Sequence, residues 1–104
     1  MIVQINTGND VDISQNARQN IENSLRSTLQ RFEDRITRVQ VHLNDENSDK
    51  GGSDDKRCMM EVRLSGLDPI AVTAHDENIH QASRGALDKL ERSIDKKLGK
   101  LSDR

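Results

Sequence analysis

The sequence predicts an α+β domain of element order β-α-β-β-β-α, a two-layer sandwich with two helices packed on one face of a four-stranded sheet. Three observations predict it. Two long stretches, 14–34 and 76–100, place apolar residues at helical spacing. Four short stretches alternate apolar and polar residues, or nearly so, as half-buried strands do. The length, 104 residues, suits one core and not two.

The first strand is "IVQINTG", with Ile2, Val3 and Ile5 as its apolar positions and Thr7, Gly8, Asn9 and Asp10 as the turn that ends it. "VDIS" leads into the first helix, for which Ser14 is a good N-cap. Ala17, Ile21, Leu25, Thr28, Leu29 and Phe32 then share one face. The helix fades near Asp34 and Arg35. "ITRVQVHL" is the cleanest period-two run: Val39, Val41 and Leu43 point one way, and Arg38, Gln40 and His42 the other. After a long polar segment, "RCMMEVRL" is the third strand. Cys58, Met60, Val62 and Leu64 face one side, and Met59, Glu61 and Arg63 the other. "SGLDP" turns the chain into "IAVTA", with Ile70 and Val72 inward and Pro69 just ahead, where a missing N–H is tolerated. The last helix buries Ile79, Ala82, Ser83, Ala86, Leu90, Ile94, Leu98 and Leu101. Gly85 falls in its middle at a penalty of about 1 kcal/mol relative to Ala, which predicts a close approach to another element there.

Composition narrows the class. Apolar residues make up 32% of the chain and charged residues 33%, with no Trp or Tyr and Phe32 as the one aromatic. The core must therefore be aliphatic. One cysteine, Cys58, excludes an internal disulfide and suits a reducing cytoplasm. No apolar run approaches the roughly 20 residues of a membrane helix, and "MIVQINTGND" is unlike a signal peptide. The expected setting is cytoplasmic, with no membrane partner. The net charge is −2, but the segment 44–56 holds five acidic residues and two lysines, so it carries −3 and the rest of the chain +1. That segment is expected to be a long acidic loop between strands of a single domain spanning 1–104.

The most informative stretch is "DKLERSIDKKLGK", 88–100. At about 100° per residue, Lys89, Arg92, Lys96 and Lys100 form one stripe and Asp88, Glu91 and Asp95 another. Charge runs on helices are usually solvated faces, and such faces usually mix signs at i,i+4. Here the signs are sorted. A basic stripe of this kind is what phosphate contacts need. Arg84 and Lys97 are secondary candidates. Arg18 and Arg26 on the first helix form no stripe and rank as auxiliary ones.

Element order and final helix together resemble the ribosome hibernation-promoting factor (protein Y) family in its short form. "DKLERSIDKK" is similar to that family's Lys-Leu-x-Arg-Gln-Leu core, with Lys89, Leu90, Arg92 and Ile94 on its positions. "VQINTGNDVDIS" resembles its first strand, turn and helix lead-in, and "FEDRITRVQVHL" its passage into the second strand. The family's Tyr near the start of the last helix is His80 here, and the loop 44–56 is longer than in common short members. These departures fit a divergent branch. The resemblance implies a fold like that of a double-stranded RNA-binding domain. It also implies a ribosome-associated factor that is monomeric when free and binds the small subunit in the mRNA/tRNA channel, against ribosomal RNA phosphates. It implies no catalysis, no cofactor and no small-molecule substrate.

A rival reading centres on the acidic loop as a protein-interaction or metal-binding module. His42, Asp45, Glu46 and Cys58 are of types that hold zinc, but they lack paired ligand spacing, and His42 and Cys58 are expected on opposite sheet faces. Neither a nucleophile elbow nor a phosphate-binding glycine loop is present. His75 and His80 flank the start of the last helix as surface or capping residues.

Overall fold

The computed structural model describes residues 1–8, 11–45 and 56–102, with side chains through 99. Most of the acidic loop, Glu46 included, and the side chains of Lys100 and Leu101 lie outside the described residues. The elements are β1 (Ile2–Thr7), α1 (Gln15–Leu29) with a 3-10 turn (Gln30–Phe32) at its end, β2 (Ile36–Asp45), β3 (Lys56–Leu64), β4 (Ile70–Asp76) and α2 (Ile79–Ser102). The order and the α+β class agree with the sequence reading.

The sheet runs β1-β2-β3-β4. β1 pairs with β2 in parallel, because α1 carries the chain back across the sheet before β2 begins. β2, β3 and β4 pair antiparallel. One sheet face is dry: Val39, Val41, Leu43, Cys58 and Val62 have no exposed surface, and Met60 has 1%. α1 contributes Ile21, Leu25 and Leu29 to this core, and α2 contributes Ala82, Ala86, Leu90 and Ile94. Leu87, which falls outside the expected apolar stripe, is also buried, because α1 lies against that side of α2.

Local chemistry explains the boundaries. Ser14 caps α1 by accepting the Ala17 N–H at 3.0 Å. Asn78 does the same for α2, accepting the Gln81 N–H at 2.8 Å. Gly66 takes φ 73° in the β3–β4 turn, a left-handed conformation that favours glycine. Gly85 sits where α2 crosses β4: a Cβ there would lie 3.2 Å from the Ala74 Cβ. The mid-helix glycine thus marks the predicted close approach.

The strict alternation read for β2 fails at its start. Ile36 pairs with Leu64 and Arg38 with Arg63, so a β-bulge interrupts the register. Thr37 and Arg38 are both exposed, while Ile36 and Val39 on either side are both buried. The extra residue lets two inward apolar side chains stand three apart instead of two.

Candidate nucleic-acid interface

α2 divides its circumference among three tasks. Its apolar stripe lies on β3 and β4. Its acidic stripe turns toward the end of the α1 segment, where Arg31 sends Nη1 to Asp95 at 3.3 Å and Nη2 to Glu91 at 3.5 Å. The Arg31 guanidinium also lies over the Phe32 ring, 4.2 Å from its centroid. The third acidic residue, Asp88, pairs with Arg92 one turn on. Charge sorting on α2 therefore has a structural half. Two of its three acidic residues, Glu91 and Asp95, are served by a cation from another element.

The basic side is the other half. Lys89, Arg92 and Lys96 are exposed on one stripe. Lys89 donates to the Thr73 carbonyl of β4 at 2.7 Å, which fixes the stripe beside that edge strand. Lys96 makes no ion pair among the described residues, and Lys97, beside the apolar stripe, is half-buried without one. Arg84 is exposed but not on this stripe. It lines a groove of about 370 Å³ between the helices, together with Asn20, Ser24, Thr28, His80 and Glu91.

The α1 arginines are committed elsewhere. Arg18 Nη1 donates to the Ile5 carbonyl at 2.7 Å. Arg26 Nε donates to Glu22 at 2.9 Å and its Nη1 to the Met1 carbonyl at 3.2 Å. Arg18 ties the helix to β1, and Arg26 ties it to Met1 just ahead of that strand. The residue that sequence reading missed is Arg31. Glu91 and Asp95, with no lysine or arginine four positions away on α2, were the available signal for a cation supplied from outside.

The rival metal set does not converge. Cys58 pairs with Leu43, and His42 with Met59, so thiol and imidazole lie on opposite sheet faces. Burial pushes the Cys58 thiol up to about 12, against a small opposing effect of Arg57. A thiol held neutral is a poor metal ligand. Asp45 pairs with Lys56 at 3.0 Å across the strand ends. Among the described residues no group of three or more His, Cys, Asp or Glu side chains could hold a metal ion.

The fold and this stripe can be set beside known proteins. A family model described as sigma 54 modulation protein / S30EA ribosomal protein matches residues 4–102. The chain belongs to this family. Two solved structures share its fold. One is the Thermus thermophilus Protein Y N-terminal domain, at TM-score 0.73 and 22% identity, covering 92% of this chain and 98% of that one. The other is a ribosomal subunit interface protein from Coxiella burnetii, at TM-score 0.76 and 22% identity, covering 95% and 99%. No curated protein matches the chain. The family is a ribosome-associated one, in keeping with the resemblance read from the last helix. No helix among the described residues is long and apolar enough to cross a membrane.

Proposed function

We propose that this chain is a cytoplasmic ribosome-associated translation inhibitor that binds the small subunit at the mRNA/tRNA channel through ribosomal RNA phosphates. Lys89, Arg92, Lys96 and Lys100 are its main contacts. Arg84 and Lys97 are secondary, and Arg18 and Arg26 auxiliary at most, because their guanidinium groups already serve the Ile5 and Met1 carbonyls. The observation that carries the reading is the one-sided use of charge on α2. The carboxylates Glu91 and Asp95 are met by Arg31, while the cationic stripe turns outward. A rigid helix presenting cations in a row gives affinity and register without reading sequence. The inhibition is steric and involves no catalysis: a domain seated in the channel excludes mRNA and tRNA.

The test is sedimentation with ribosomes through a sucrose cushion. Wild type co-pellets, and Lys89→Glu/Arg92→Glu/Lys96→Glu/Lys100→Glu stays in the supernatant while still folded by circular dichroism, its melting temperature lowered by the loss of the Lys89 to Thr73 hydrogen bond and the Arg92 to Asp88 pair. The wild-type affinity falls steeply with salt, by about one unit of log–log slope per phosphate contact. Equal pelleting of both proteins would move the contact away from α2. Failure of the wild type to pellet at low salt would end the ribosome reading.

A further inference from the structure

We propose that the uncovered face of the sheet is a second surface for RNA phosphates, centred on Arg38 and Arg63. The inference rests on the RNA partner argued above and adds a site to it. Both helices pack on one side of the sheet, so among the described residues nothing covers the outward side chains of β2 and β3. On that face the register places Arg38 opposite Arg63. Arg57 and His75 pair on β3 and β4 at its other end, and His42 lies between. The one carboxylate among the outward residues of these strands is Glu61. Glu33 and Asp34 stand in the turn before β2. In a chain of net charge −2, this face is cationic.

The arginine pair is the telling feature. Like charges directly opposite each other across two strands are destabilising. The fold offers little relief. Glu61 Oε1 is 3.9 Å from Arg63 Nε, at the limit of an ion pair, and the Arg63 side chain is 60% exposed. Arg38 makes no ion pair among the described residues.

The bulge creates the juxtaposition. Had the Ile36–Leu64 register continued unbroken, Arg38 would face Val62. Thr37, the neighbouring residue of the bulge, donates through Oγ1 to the Arg63 carbonyl at 3.1 Å and pins the arrangement. Cross-strand Cβ atoms lie about 5 Å apart, so two guanidinium forks stand within reach of one phosphodiester. An anion between them removes the repulsion. The like pair is therefore a liability in the free protein and an asset on a polyanion. With α2 cationic on the helical side, the domain fits between two RNA segments and does not merely lie on one.

The test compares wild type, Arg38→Gln/Arg63→Gln and the α2 reversal in a salt series of ribosome co-sedimentation. The arginine-pair variant is expected to melt at or above the wild-type temperature, since its repulsion is gone. Its salt slope is expected to fall by about one unit, for the one phosphate that the pair shares. If that variant does not fold, Arg38→Glu, which turns a like pair into an opposite pair, provides the same comparison. Wild-type affinity and slope in the arginine variant, with binding lost in the α2 reversal, overturn the inference and leave the ribosome reading standing.

If wild type does not pellet, the ribosome reading fails by itself. The surface is then judged by titrating isotope-labelled protein with an RNA duplex of about 16 base pairs. Displaced Arg38 and Arg63 Nε–Hε resonances, absent from the variant, uphold the inference, and unmoved ones overturn it. Displacement by polyglutamate but not by RNA also overturns it, in favour of an acidic polypeptide.

Discussion

The cations of the two helical segments have different work. On the first, Arg18 reaches the Ile5 carbonyl, Arg26 the Met1 carbonyl and Arg31 the carboxylates of α2. On α2, Lys96 reaches nothing among the described residues, and Arg92 reaches only a neighbour one turn away. Lys89 stands between these cases: it is exposed, yet it donates to Thr73 of β4. β1 and β4 are the two edges of the sheet, so Arg18 and Lys89 each supply a donor to an edge strand's backbone. Whether a surface cation holds the fold or waits for a partner thus depends on the acceptors within its reach. Residue type does not decide it, since arginine appears in both roles.

That contrast can be broken most forcefully where α2 is seated. Gly85→Leu drives a side chain into Ala74, which a Cβ alone would already meet at 3.2 Å. The expected loss is about 3 kcal/mol, and a fall in melting temperature on the order of 10 °C would show it. Ribosome binding should fall with it, because the stripe is displaced together with its helix. Arg18→Ala comes next. It leaves the part-buried Ile5 carbonyl without its charged donor and should lower stability by about 1.5 kcal/mol in urea unfolding. Ribosome affinity per folded molecule should stay at the wild-type value. A drop in affinity with unchanged stability would reverse the assignment and make Arg18 a ligand contact.

Much of this was legible in the sequence, because it depends on near neighbours. Ser14 as a cap, the inward set Val39, Val41 and Leu43, and the stripe on α2 all follow from residues a few positions apart. Gly85 was legible as an anomaly, though its partner Ala74 was not. What escaped depends on pairings between distant segments. Arg31 and Asp95 are 64 residues apart, and no local pattern links them. The parallel seat of β1 beside β2 and the bulge that faces Arg38 with Arg63 are likewise set by inter-strand register. For that reason the helical stripe was a candidate from the start, and the sheet surface emerged only from the fold.

The smallest effect tests the boundary between the two classes of cation. Arg31 holds Glu91 and Asp95 through pairs whose side chains are about one-third to three-fifths exposed, and such pairs contribute less than about 1 kcal/mol. Arg31→Gln should therefore barely move the melting temperature at low salt, and added salt should erase the difference by screening the wild-type pairs. Its effect on binding should be larger than its effect on stability. With Arg31 gone, the acidic stripe is no longer neutralised, and its field extends around α2 toward the cationic one. RNA affinity should fall modestly although Arg31 makes no contact with the stripe. A second change, Asp95→Asn, separates the explanations. If Arg31 acts by neutralising the acidic side, the double variant recovers much of the lost affinity. If Arg31 itself touches RNA, the second substitution does not restore it, and the division of α2 into a structural acidic side and a functional basic side has to be redrawn.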